Sequence, residues 1–341
     1  MSIAQFEVHR NRLRALAYRM LGSRSEADDI VQEAWLRWQA VDSTTVQDPQ
    51  AYLCRTTTRL CLDHVKSARR QREQYVGVWL PEPLVDGAME GYQFTTPEET
   101  LSLRQQLSLG FLLALQHLSA QERATFLLHD VFDLGFDEIA ATLERSSATC
   151  RQLARRARQR LSAKGFDAGN SPSIAAFPPP TAPPKTHALL AAFAQALASG
   201  DVAVLAGLLA EDVRLYSDGG GMVSAVPVPL DGAMPVAKAL TGFAKSWASR
   251  SGAQGLQAAC VNGHPGALLW RPDGTLEQVC ALELDTEGRV RGLYLQRNPK
   301  KLHGVRGALK DSAHARTEAA FSESAPSVSA SGPAPRPRMA G

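Results

Sequence analysis

Residues 119–161 read SAQERATFLLHDVFDLGFDEIAATLERSSATCRQLARRARQRL, and this stretch decides the fold of the N-terminal half. Phe136–Leu143 has apolar residues at helical spacing, a short break follows, and a second helical pattern runs from Ser147 to Leu161. From Ser147 to Lys164 there are six basic residues (Arg151, Arg155, Arg156, Arg158, Arg160, Lys164) and no acidic one, while Leu153, Ala154, Ala157 and Leu161 make an apolar side. An isolated basic run is usually a solvated face. At the end of a helix-turn-helix pattern it fits a groove lined by phosphates, and the segment reads as DNA-binding.

The 341 residues suffice for two or three domains with their own cores. The net charge is only +3, so attraction to a nucleic acid must come from local clusters. Five scattered cysteines without zinc-type spacing argue against a metal site and for reduced thiols in a cytoplasmic protein. The N-terminus lacks the unbroken apolar segment of a signal peptide, and no apolar run reaches the roughly 18 residues that would span a membrane.

Outward from the arginine-rich helix, the chain divides into blocks. Helical patterns fill 5–75 and 95–163. Between them YVGVWLPEPLVDGAMEGYQFTTPEE carries prolines that force extended backbone. After Lys164, Pro178–Pro180 and Pro183–Pro184 make a stiff linker. The following block predicts helices at Thr186–Ser199, Val202–Leu209 and 233–249. Strands are expected at Val213–Tyr216, Met222–Val228 and in the runs LQAACV, GALLWR, LEQVCALEL and VRGLYLQR. Glycine turns at Gly263, Gly266, Gly274 and Gly288 punctuate these runs as hairpins, so an α+β unit with a curved antiparallel sheet is expected. The tail beyond about 311, rich in Ala, Ser, Pro and Arg, has the composition of a disordered segment.

In the first block Ser25 reads as a helix N-cap with Asp28 three residues on. Ala27, Ile30, Val31, Ala34 and Trp38 share one face, and Asp28, Asp29, Gln32 and Glu33 fall largely on the other, which by itself is an ordinary solvated acidic face. Asp48-Pro49 opens the next helix. It interleaves apolar anchors with Arg55, Arg59, Lys66, Arg69, Arg70 and Arg72, and Thr56–Thr58, Asp63 and His64 lie among them, a mixture able to hold phosphates and hydrogen-bond bases.

Taken in order, AYRMLGSRSEADDIVQEAWLRW (17–38), DPQAYLCRTTTRLCLDHVKSARRQ (48–71) and the helix-turn-helix resemble a bacterial extracytoplasmic-function (ECF) sigma factor of RNA polymerase. WLPEPL (79–84), Asp218–Gly221 and Arg297-Asn298-Pro299-Lys300-Lys301-Leu302 resemble signatures of the members that carry a fused C-terminal SnoaL-like domain. Two positions depart from that pattern: Met222, where a basic residue is usual, and Lys300, where an acid is usual. The second predicts a weakened salt bridge to the sigma portion.

The resemblance implies a multidomain chain: an all-α N-terminal half, with sigma-two and sigma-four helical domains, and an α+β, cone-shaped SnoaL-like domain. The boundaries would be 1–75 for sigma-two, 76–97 for a linker, 98–164 for sigma-four, 165–185 for the proline-rich linker, 186–302 for the SnoaL-like domain and 303–341 for the tail. It implies a transcription-initiation factor, not an enzyme, with no cofactor and no metal. Its partners would be core RNA polymerase (the β′ clamp helices and β flap) and promoter DNA. Its own C-terminal domain would act in place of an anti-sigma factor. A small ligand in the C-terminal pocket is a further candidate partner, and no membrane is.

By the same resemblance Asp28, Asp29, Gln32 and Glu33 would face the clamp helices. Arg55, Arg59, Asp63, Lys66, Arg69 and Arg70 would handle the minus-ten element. Ser147, Thr149, Arg151, Gln152, Arg155 and Arg156, at the N-terminal side of the recognition helix, would read the minus-thirty-five element. Arg158, Arg160 and Lys164 would touch phosphates or solvent. Trp79, Leu80, Pro81, Asp218, Gly219, Gly220, Gly221, Asn298 and Pro299 would form the regulatory interdomain contact. As bases for any catalysis only Asp218, Asp231 and His264 offer themselves, and they form no recognisable dyad; Tyr216, Trp247, Trp270 and Tyr294 are expected as pocket or core walls. The rival reading is a helix-turn-helix regulator with a ligand-sensing C-terminal domain, which leaves the ordered block 17–71 and WLPEPL unexplained.

Overall fold

The computed structural model describes residues 3–42, 46–73, 75–85, 108–164, 183–251 and 255–305. The expected sigma-four start at 98, most of the 165–185 linker and the tail beyond 305 lie outside the described residues, as do the side chains of Arg69, Arg70 and Arg72.

Three helices open the chain: α1 (Ile3–Leu21), α2 (Arg24–Gln39) and α3 (Pro49–Glu73). The α1/α2 junction is capped by Ser23, whose side chain accepts from the Glu26 amide, and not by Ser25, which lies within the first turn of α2. Ala27, Ile30, Val31, Ala34 and Trp38 are the buried residues of α2. Phe6, Leu13, Val31, Trp38, Leu53 and Cys54 pack where the three helices meet. Burial pushes the Cys54 thiol up to about 11, so it packs as a neutral apolar group.

The second helical unit comprises α4 (Leu109–Gln116), α5 (Ala120–Phe126, continued by one π turn to Val131), α6 (Phe136–Leu143) and α7 (Ser147–Ser162). Ser119 and Glu122 make a reciprocal capping box on α5, and Ser146 caps α7 by accepting from the Thr149 amide. Cys150, Leu153, Ala154, Ala157 and Leu161 are the buried side of α7.

The C-terminal unit has α8 (Pro183–Ser199), α9 (Val202–Gly207) and α10 (Ala233–Ser251) against a six-stranded sheet. Its strands are β1 (Leu209–Asp218), β2 (Leu230–Asp231), β3 (Leu256–Val261), β4 (His264–Trp270), β5 (Leu276–Leu284) and β6 (Val290–Gln296), in the order β2-β1-β6-β5-β4-β3. Two expectations fail here. The sheet is mixed, because β1 and β6 run parallel, with Tyr216 beside Tyr294 and Asp218 beside Gln296. Glycine turns specify the β3–β6 hairpins, but nothing local specifies the long-range β1–β6 pairing. Met222–Val228 is a loop; only Leu230–Asp231 pairs with β1. Pro227 and Pro229 remove the amide donors that a strand there would need.

Alternation along the strands splits the core. Val213, Leu215, Cys280, Leu282, Leu293 and Leu295 pack with Leu205, Val236 and Leu240 of the C-terminal helices. Val279, Ala281 and Tyr294 join a cluster that continues through Leu80, Leu84 and Val85 into Leu109, Leu112, Leu115, Tyr18 and Leu21. One face of the sheet is thus part of the same core as both helical units, with the WLPEPL segment between them.

Candidate nucleic-acid interface and interdomain clasp

Asp29 and Gln32 stand exposed on α2. Asp28 pairs with Arg14 at 2.6 Å, and Glu33 with Arg37 at 3.0 Å. On α3, Arg55 is half-buried and Asp63 and Lys66 pair with each other at 3.0 Å. Arg59 is engaged across the interface: its Nε donates to the Thr142 carbonyl, its Nη2 to the Ala141 carbonyl, both at 3.1 Å, and Nη2 lies 3.1 Å from Glu144. The surface expected to read the minus-ten element therefore abuts α6, the first helix of the expected helix-turn-helix.

On α7, Gln152 and Arg155 are exposed, Ser147 donates to Asp137, and the Arg151 guanidinium lies 5.6 Å from the centre of the Phe136 ring. Arg156 lies 3.8 Å from Glu122. The expectation that Arg158 and Arg160 reach phosphates or solvent holds for Arg160 as far as solvent goes, since its side chain is exposed; Arg158 is half-buried, and both are also engaged in ion pairs. Arg158 pairs with Asp130 and Arg160 with Glu122, each at 2.7 Å, tying α7 to α5 and its π turn. Lys164 is exposed. Burial pushes the Asp130 carboxyl up from its ordinary value, and the Arg158 guanidinium opposes that shift.

The clasp centres on Asp218, fully buried at the end of β1. Its Oδ2 accepts from the Leu80 amide at 2.9 Å, the Lys301 ammonium at 2.7 Å and Gln296 at 3.3 Å. Its Oδ1 accepts from the Tyr75 hydroxyl and the Gly220 amide. Lys301 also donates to the Leu80 carbonyl at 2.6 Å, and its ammonium lies 4.2 Å from the centre of the Trp79 ring. Gln296 reaches the Pro81 carbonyl, and Asn298 donates to Tyr75. Burial and the adjacent Asp218 push the Tyr75 phenol well up, which keeps it a donor. Gly220 has φ +61, and a Cβ there would lie 2.4 Å from the Asn298 side chain, so only glycine admits this loop. Trp79, Leu80, Pro81, Asp218, Gly220 and Asn298 are thus brought together, while Pro299 is exposed. The weakened bridge expected at position 300 is corrected: Lys300 is exposed and the ion pair is made by Lys301.

A second tie lies further along the linker. Leu84 and Asn262 exchange two hydrogen bonds, and Asn262 also donates to the Tyr18 hydroxyl. Glu82 accepts from the Arg24 amide at 2.8 Å and from the Ser23 hydroxyl at 2.9 Å, a carboxylate at the N-terminus of α2. Tyr75, Asn262 and Gln296 escaped sequence reasoning as site residues; Glu82 and Lys301 lay within the WLPEPL and Arg297–Leu302 signatures but were not singled out in them.

Of the candidate bases, Asp218 belongs to the clasp, Asp231 pairs with Arg214 at 2.9 Å, and His264 lies at the β3–β4 turn. None lines the cavity of about 530 Å³ formed by Val223, Ser224, Arg271, Pro272, Asp273, Glu277 and Arg297. Of the expected walls, Tyr216 and Tyr294 stack 5.4 Å apart, Trp247 donates to Glu277, and Trp270 donates to Gln257. Among the described residues no His, Cys, Asp and Glu cluster could hold a metal, and no helix is long and apolar enough to cross a membrane.

Comparison with known proteins gives the class first: residues 5–71 match the family described as sigma-70 region 2, and residues 108–161 match sigma-70, region 4. The chain is 33% identical over 310 residues to the ECF RNA polymerase sigma factor SigJ of Mycobacterium tuberculosis, covering 89% of this chain and 94% of SigJ. It is 30% identical over 309 residues to the probable ECF RNA polymerase sigma factor SigI of the same species, covering 90% of this chain and 96% of SigI. The crystal structure of M. tuberculosis SigJ matches with a TM-score of 0.64 at 30% identity, covering 89% of this chain and 99% of that one. The chain belongs to the family of ECF RNA polymerase sigma factors. Its function is promoter-specific initiation of transcription, its sigma domains imply binding to core RNA polymerase and promoter DNA, and its C-terminal unit is SnoaL-like. The family is in general non-enzymatic.

Proposed function

We propose that this sigma factor is restrained by its own C-terminal unit, which holds the two DNA-binding units closed on each other. Supporting this is the contact of Arg59 with Ala141 and Thr142. Elements named minus-ten and minus-thirty-five are separated by roughly 25 base pairs, which at about 3.4 Å each is roughly 85 Å of duplex. Surfaces within hydrogen-bond distance of each other do not engage both at once. Initiation then requires the units to part. The clasp opposes parting because Leu80, in the linker between them, is gripped at its amide by Asp218 and at its carbonyl by Lys301. A tethered restraint acts at high effective concentration and takes the place of a separate anti-sigma factor.

In the opened form Asp28, Asp29, Gln32 and Glu33 face the β′ clamp helices, the 108–164 unit meets the β flap, and α3 handles the minus-ten element through Arg55, Arg59, Asp63, Lys66, Arg69 and Arg70. The N-terminal half of α7 reads the minus-thirty-five element through Ser147, Thr149, Arg151, Gln152, Arg155 and Arg156. The functional division runs 1–75, 76–97, 98–164, 165–185, 186–302 and 303–341, in a cytoplasmic protein. The test is run-off transcription with sigma-free core polymerase, comparing the full chain with chains ending near Lys164 and near Leu302 on promoters upstream of its own gene. Core-dependent transcripts that rise when the chain stops near Lys164 support the reading; transcripts that fall on that truncation overturn the restraint.

A further inference from the structure

Glu144 breaks two local rules at once. It is the C-cap of α6 in the left-handed conformation (φ +55), a position that ordinarily goes to glycine or asparagine. It also puts a negative charge at the negative end of a helix dipole. A sequence tolerates such a conflict where a contact elsewhere offsets it. The offsetting contact is Arg59, which reaches from α3, pairs with Glu144 and takes the orphan carbonyls of Ala141 and Thr142. Two carbonyl oxygens and a carboxylate converge on one guanidinium, presenting it with the same acceptors that a nucleic-acid phosphate would.

We propose that the C-terminus of α6, with Glu144, is a built-in decoy for the phosphate that Arg59 binds in promoter DNA. The decoy rests on the reading of α3 as a minus-ten surface and adds to it a competition: DNA must displace Glu144, Ala141 and Thr142 before Arg59 is free. Closure of the two units and masking of the minus-ten surface are then one event. The residues of this contact lie wholly within the sigma-two and sigma-four units, and the Asp218 clasp, by opposing their parting, acts in the same direction.

The test measures anisotropy of a fluorescein-labelled, mixed-sequence single-stranded DNA with the full chain at low salt. It uses Glu144→Asn, which suits the left-handed backbone, with Arg59→Ala and the double variant; thermal melting of each reports folding. Glu144→Asn is expected to bind about threefold tighter, the scale of an exposed ion pair, and the gain is expected to vanish when Arg59 is alanine. Unchanged affinity for Glu144→Asn overturns the decoy, as does a gain that survives without Arg59, which would mark a general charge effect. If no form binds the strand, the reading of α3 falls and the decoy with it. Coupling of positions 59 and 144 in melting, with no effect on DNA affinity, leaves the contact purely structural and overturns the decoy while sparing the minus-ten reading.

Discussion

The Lys301 ammonium sits 2.7 Å from Asp218 Oδ2, and both groups also hold the backbone of a third residue, Leu80, from opposite sides. Neither charge has appreciable access to solvent, so removal of one strands the other. Lys301→Met is expected to destabilise the full chain by about 3–5 kcal/mol, and Asp218→Asn combined with Lys301→Met by less than the sum of the single changes. Urea unfolding of the single and double variants reads this directly. Strict additivity would mean that the two groups do not act as a pair.

The sheet also touches the second helical unit at Gly110. A Cβ at that position would lie 2.6 Å from Glu283 Oε2 and 2.7 Å from the Tyr294 hydroxyl. These two are hydrogen-bonded to each other and so have little room to withdraw. Gly110→Val is expected to cost about 1–3 kcal/mol by overpacking, and Glu283→Ala in the same chain to recover part of it. Melting of the full chain measures both. A silent Gly110→Val would show that α4 does not seat on this face.

Helical spacing was enough to place the buried faces of α2 and α7, because a 3.6-residue repeat is local. The strands at 256–261 and 276–284 coincide with the apolar runs bounded by glycine turns for the same reason. The interdomain motif residues were legible as segments, but not how they meet. Lys301 grips a residue 221 positions away, and Asn262 bonds Tyr18 across 244. No repeat or turn signal reports a pairing at that distance. The same blindness hid the parallel β1–β6 pairing. It also hid the ion pairs that Arg158 makes with Asp130 and Arg160 with Glu122, since in sequence these arginines look no different from Arg155.

That difference within one helix predicts that binding and stability separate between the two arginines. Arg155 is exposed on α7, whereas Arg158 holds the largely desolvated Asp130. Arg155→Ala is expected to weaken binding to a promoter duplex by about 1–3 kcal/mol and to leave the melting temperature unchanged. Arg158→Ala is expected to lower stability by about 1–3 kcal/mol, since it removes the partner of the half-buried Asp130 carboxylate. Electrophoretic mobility shift and calorimetry on the two variants should give opposite patterns; a melting loss in Arg155→Ala would place that side chain in the fold and not at the groove.

His264 gives the C-terminal unit a pH dependence of predictable sign. Burial holds its imidazole pKa below the ordinary value, with the Glu283 carboxylate opposing. Below about 6.5 the unfolded chain takes up a proton at this position that the folded chain still refuses. The unfolded state is then favoured, and stability falls as pH drops from about 6.5 towards the folded-state value, while above pH 7 the contribution is flat. His9 and His117 are also shifted down by burial and act in the same direction, so the loss is shared. His264→Gln should therefore reduce, without abolishing, the slope of unfolding free energy between pH 5 and 6.5. Urea titrations at several pH values measure that slope, and an identical slope in the variant would mean that His264 titrates alike in both states.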